Sequence, residues 1–103
     1  MELNEYQDEA KTFAMYPDRM YPFLALGEEA GEVLGVLAKA MRKGVSVDKD
    51  KIRNELGDVL WNLAACAREY NLTLEEVACY NIQKLKARKK SGTIAALESR
   101  DES

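Results

Sequence analysis

The sequence predicts an all-α protein, a small antiparallel four-helix bundle, and three observations predict it. Apolar residues recur at helical spacing through four segments. Pro17, Gly44 and the capping residues Asp48 and Thr73 fall between those segments. No alternating strand pattern, low-complexity linker or repeat of ordinary length interrupts them.

Each element follows in order. The first helix is predicted from about Leu3 to Tyr16, with Leu3, Tyr6, Ala10, Phe13 and Ala14 as its stripe. Pro17 stops it and moves Tyr16 out of the α region. Pro22 suits the first turn of a second helix reaching Arg42. Its stripe is Leu26, Ala30, Val33, Leu34, Leu37 and Met41, within an arc of roughly 100°. Gly44 ends it, after basic residues that favour a helix C-terminus. Asp48 is an N-cap for a third helix running to about Tyr70, with Ile52, Leu56, Val59, Leu60, Leu63, Cys66 and Ala67 inward. Thr73 to Glu76 fits a capping box for a fourth helix, which fades near Lys90. Leu74, Val77, Ala78, Asn81, Ile82 and Leu85 form its inner face. The helical domain spans residues 1–93 and the polar stretch 94–103 is a C-terminal tail.

Composition removes several chemistries. The 103 residues suffice for one domain with a modest core, and all-helical domains of this size often complete that core by oligomerising. The net charge of −3 gives no reason to expect a nucleic-acid polymer as partner. There is no histidine, which excludes Ser-His and Cys-His nucleophiles and imidazole metal sites. Acid–base work falls to carboxylates, Lys, Tyr, Cys or metal-bound water. Cys66 and Cys79 read as two buried thiols, with a disulfide between helices as the alternative. No apolar run of membrane length and no leader pattern is seen, so no membrane partner and a cytoplasmic location are expected.

The chemistry lies in two acidic pairs, Glu29/Glu32 and Glu55/Asp58, each spaced i, i+3, with Glu28 beside the first. That spacing puts both carboxylates on one face about a turn apart. Glu55, Asp58 and Asn62 line one flank of the third helix, and Glu29 borders the stripe of the second. Carboxylates at the border of a core are costly without a partner. Two such helices side by side would surround one hard divalent cation such as Mg²⁺. Gly27, Gly31 and Gly57 sit inside the helices next to the acids, each costing about 1 kcal/mol relative to alanine. They mark close approach, by another helix or by a ligand. The competing reading of the acids is a solvated or partner-binding face on a non-catalytic helical module.

The run Glu28-Glu29-Ala30-Gly31-Glu32, then twenty-two residues, then Glu55-Leu56-Gly57-Asp58 resembles the EExxE…ExxD signature of MazG-type nucleoside triphosphate pyrophosphohydrolases. Leu26-Gly27, Val59-Leu60-Trp61 and the segment from Asn81 to Arg88 extend the likeness, which covers Leu3 to Thr93. The resemblance implies the all-α NTP pyrophosphatase fold and an enzyme that disposes of unwanted nucleotides. It implies cleavage of a nucleoside triphosphate to monophosphate and pyrophosphate, with Mg²⁺ required and Mn²⁺ as a substitute. By motif position Glu29, Glu32, Glu55 and Asp58 are the metal ligands, and Glu28 is the catalytic base. It also implies a homodimer, or a homotetramer built from dimers. A relative restricted to dCTP or dUTP is the alternative within the superfamily, with phosphoribosyl-ATP pyrophosphohydrolase a more distant one.

A triphosphate's remaining charge needs cations. Lys84 and Arg88, i and i+4 on the fourth helix, read as phosphate clamps with Asn81 one turn before them. Their alternative is a basic helix terminus serving the macrodipole. Trp61 either stacks on a base or fills a subunit interface, and Asn62 is placed to read a base edge or ribose hydroxyl. Tyr16, Met20 and Tyr21 either close over the ligand or pack.

Overall fold

The computed structural model describes residues 1–92; the tail expected at 94–103 lies outside them. Four helices run in order, α1 (Leu3–Lys11), α2 (Tyr21–Lys43), α3 (Lys49–Glu69) and α4 (Leu74–Ser91), with no strand among the described residues. The all-α fold class is as the periodicity predicts.

The helix ends follow local chemistry. Asp48 Oδ1 accepts from the Asp50 amide at 2.9 Å and starts α3. Thr73 and Glu76 bond reciprocally as a capping box and start α4. Gly44, with φ 65°, closes α2, and the Val45 amide returns to the Ala40 carbonyl. Asn71 does the same after α3 at φ 58°, with the Leu72 amide on the Ala67 carbonyl.

Helix α1 is shorter than its sequence pattern. It stops at Lys11 instead of Tyr16. The Trp61 indole N–H donates to the Ala10 carbonyl at 3.2 Å, and the Phe13 and Ala14 amides fall back on carbonyls three residues earlier. A tertiary hydrogen bond competes with the helical ladder there, which no local pattern reveals.

The packing is uneven. α2 lies along α3 alone, whereas α1 and α4 pack on α3 and on each other. The buried residues collect at one end of α3: Asn62, Ala64, Ala65, Cys66 and Ala67, with Leu74 of α4 closing over them. Gln7 is the polar tie of this end. Its Nε2 donates to the Ala64 and Leu72 carbonyls, and its Oε1 accepts from the Leu74 amide at 3.0 Å. The α1–α2 linker is also fastened there. The Tyr16 hydroxyl donates to Glu69 Oε2 at 2.9 Å and accepts from Arg68, and Tyr16 stacks on Tyr21. Arg19 pairs with Glu69 at 3.6 Å. Tyr16 and Tyr21 are therefore packing residues here, while Met20 is exposed.

Elsewhere the predicted apolar stripes stay open. Leu34 and Met41 of α2, Leu56 of α3 and Ile82 of α4 are all half exposed or more. Cys66 is buried but Cys79 is exposed, and both are free thiols, which corrects the expectation of two buried ones. Among the described residues nothing lies within 4 Å of where a Cβ would stand on Gly27, Gly31 or Gly57, so none of them makes the close approach those glycines imply.

Candidate metal centre

Two antiparallel helices build the centre. α2 carries Glu28, Glu29 and Glu32, and α3 carries Glu55 and Asp58. Helical spacing turns one acid of α2 and both of α3 toward a shared seam. Carboxylate oxygens of Glu29, Glu55 and Asp58 all lie within 4.8 Å of one another. Glu29 and Glu55 are half-buried and Asp58 is exposed.

No ion pair neutralises this group among the described residues. Its electrostatics are those of crowded like charges. Partial desolvation, then the charges of Asp58, Glu55, Glu28 and Glu32, hold the Glu29 carboxyl above its ordinary value. The donor set suits a hard cation: oxygens only, from two rigid helices.

The other expected site residues distribute as follows. Glu32 lies outside the three-acid group and is exposed, one turn along α2, where it borders the adjoining groove. Glu28 is exposed beside Glu29. Asn62 is buried; its Nδ2 donates to the Asp58 carbonyl at 3.0 Å, and its Oδ1 has no partner. Trp61 packs on α1 and lines a cavity of about 380 Å³ with Tyr6, Glu9, Ala10 and Phe13. Asn81 and Lys84 are exposed and Arg88 half-buried on α4, a helix that does not pack on α2. Sequence reasoning missed the aromatic cavity's other members. Tyr6 sits close enough to Asp58 that burial, then that charge, raise its phenol above the ordinary value. In sequence Tyr6 is only one apolar position in an α1 stripe.

Residues 20–93 match the model of the MazG nucleotide pyrophosphohydrolase domain. The chain belongs to the MazG family. The match takes in both acidic helices and all of α4. The MazG chain is also similar to the Gene 37 protein of Mycobacterium phage L5, 32% identical over 107 residues, covering 91% of this chain and 94% of that protein. No solved structure matched it. The acidic seam lies within the matched MazG domain.

Proposed function

We propose that this MazG protein hydrolyses (deoxy)nucleoside triphosphates to nucleoside monophosphate and pyrophosphate, in a reaction dependent on Mg²⁺ or Mn²⁺, and so clears unwanted nucleotides from the cytoplasm. One observation carries the reading: three carboxylates converge from two helices with no ion-paired cation among the described residues.

Glu29, Glu55 and Asp58 would hold the cation, with Glu32, one turn away on α2, as a fourth ligand. The ion's part is to screen the polyphosphate and polarise the scissile phosphoryl group. Four bare acids would otherwise repel a polyanion. Glu28, exposed at the edge, orients the attacking water and takes its proton. Phosphoryl transfer needs mostly positioning and charge stabilisation, so a chain without histidine is equipped for it. Lys84 and Arg88, with Asn81, are the α4 clamps for phosphate. Trp61 offers an aromatic wall for the base. The buried, unpartnered Asn62 Oδ1 is an acceptor that a ribose hydroxyl or base amino group satisfies.

The working form is a homodimer or a homotetramer built from dimers. A radius of gyration of 16.2 Å exceeds the roughly 13 Å of a compact domain of this length. The open faces of Leu34, Leu37 and Leu56 flank the acidic helices, where a second copy would cover them.

The test is a panel of ribo- and deoxynucleoside triphosphates with and without Mg²⁺, scored for monophosphate and pyrophosphate. Release of both, abolished by EDTA, is the expected result. Release of single phosphate groups, or no release from any nucleotide, overturns the proposal.

A further inference from the structure

A groove lies beside the acidic seam, and the reading above gives it no role. Its volume is about 410 Å³, and it runs between the C-terminal half of α2 and the start of α3. Glu32 stands at one end; Lys39, Lys43 and Lys51 line it with Ser46, and Asp48 lies at the turn. None of the three lysines is held in an ion pair among the described residues. Of the two bordering carboxylates, Asp48 already accepts the Asp50 amide as a helix cap.

The order of stations along α3 gives the groove its meaning. Lys51, Glu55, Asp58 and Trp61 follow one another at spacings of about 6, 4.5 and 4.5 Å along the axis, on one broad face. Lysine lies on one side of the acids and the aromatic cavity of Trp61 and Tyr6 on the other. On α2, side chains tilt toward the helix N-terminus, which sends Lys39 and Lys43 back along the groove toward Glu32. A nucleoside triphosphate has the same sequence of parts: an aromatic base, a scissile α–β anhydride, and a strongly anionic β,γ end.

We infer that the groove is the pyrophosphate seat, so that substrate lies along α3 with its base toward Trp61 and its β- and γ-phosphates against Lys39, Lys43, Lys51 and Ser46. The inference rests on the hydrolase reading, adds the direction of the substrate across the acids, and leaves Lys84, Arg88 and Asn81 of α4 to the α-phosphate. In hydrolysis of the α–β anhydride, water's hydroxyl joins one phosphorus, the bridging oxygen leaves on the other with the bonding electron pair, and one proton is released. The charge gained by the departing group is then met by three ammonium groups. Glu32 at the mouth favours the cation-bound form of pyrophosphate over the bare anion.

The experiment measures binding of inorganic pyrophosphate, in Mg²⁺, by calorimetry, beside the kinetics of triphosphate hydrolysis. The variants are Lys39→Ala, Lys43→Ala, Lys51→Ala and their combination, with Lys90→Ala as a charge-loss control. The three sites are exposed, and circular dichroism verifies folding. Each groove variant is expected to weaken pyrophosphate about tenfold, the size of one lost charge-assisted contact. Nucleoside monophosphate affinity is expected to hold within twofold, and Lys90→Ala to change neither. Unchanged pyrophosphate affinity in the triple variant of an active enzyme overturns the inference, most clearly if Lys84→Ala or Arg88→Ala loses it instead. A wild-type protein that hydrolyses no nucleotide overturns the hydrolase reading itself, a separate outcome.

Discussion

The two ends of α3 are built on opposite principles. From Asn62 to Glu69 the helix is enclosed: alanines at full burial, Gln7 bonded to three backbone groups, the Trp61 indole on α1 and the α1–α2 linker fastened to Glu69. From Ile52 to Asp58 it has only α2 beside it, three like charges in its seam and Leu56 half exposed. One end buries its alanines and bonds most of its polar groups, Asn62 Oδ1 and Arg68 Nη1 excepted. The other leaves apolar and polar groups alike unmet, which is the condition of a surface completed by something else. Stability and function therefore separate along a single helix.

The sharpest way to break that comparison is to substitute at one end and look for an effect proper to the other. Asp58→Asn is expected to lower triphosphate hydrolysis by on the order of a hundredfold to a thousandfold, the usual scale for losing one charge-positioning group. Without metal its melting temperature should not fall, because the change removes a like charge from a crowded group. Hydrolysis rates and thermal melts of the same sample check both halves. A large loss of stability would show that the acids hold the fold together.

The converse substitution is Gln7→Ala. It leaves the Leu74 amide without its side-chain acceptor and two carbonyls without Nε2, within the buried end. A cost of about 2–4 kcal/mol is expected, since each stranded buried group costs about 1–3 kcal/mol and not all three lose their only partner. Urea unfolding measures it. Activity per folded molecule at low temperature should stay near wild type, and a loss as large as that of Asp58→Asn would erase the division.

How far the sequence discloses each end follows from the same contrast. The acidic seam is legible because its information is local: two i, i+3 pairs, each placed by helical periodicity beside an apolar stripe. The capping box at Thr73 and the glycine stop at Gly44 are legible for the same reason. Gln7 is not, since its partners lie 57 to 67 residues away. Nor is the early end of α1, which is set by Trp61 reaching Ala10 across 51 residues. The stripes of α2 and α4 look like core in sequence, and a pattern of period 3.6 cannot say whether its partner is in the same chain. Of the groove lysines only Lys43 has an ordinary explanation in sequence, as a basic helix end favoured by the macrodipole; Lys39 and Lys51 join it only through the packing of α2 on α3.

The glycines sharpen the comparison by about 1 kcal/mol. In the lone chain a Cβ at Gly31 or Gly57 meets open space. Alanine there should stabilise the isolated protomer by about that amount through helix propensity. If a second copy or a substrate makes the close approach, the same variants will lose assembly mass by light scattering or raise KM. Gain in stability with assembly and KM untouched would show that the open end needs no partner at these positions.

The smallest expected effect is a slope with pH. The Glu29 carboxyl is held above its ordinary value in the folded protein, by desolvation and then by Asp58, Glu55, Glu28 and Glu32. A raised native value means that the folded state binds this proton more tightly than the unfolded chain does. Its contribution is complete below the unfolded carboxylate value and is lost as pH rises through the native one. Metal-free protein should therefore lose a little stability across that window, and Glu29→Gln should flatten the slope. Mg²⁺ competes with the same proton, so its stabilising effect should grow as pH rises. Urea midpoints across the weakly acidic range, with and without Mg²⁺, read both trends. Opposite slopes that merge in Glu29→Gln place proton and cation in one seam; parallel slopes would mean that the cation binds somewhere else.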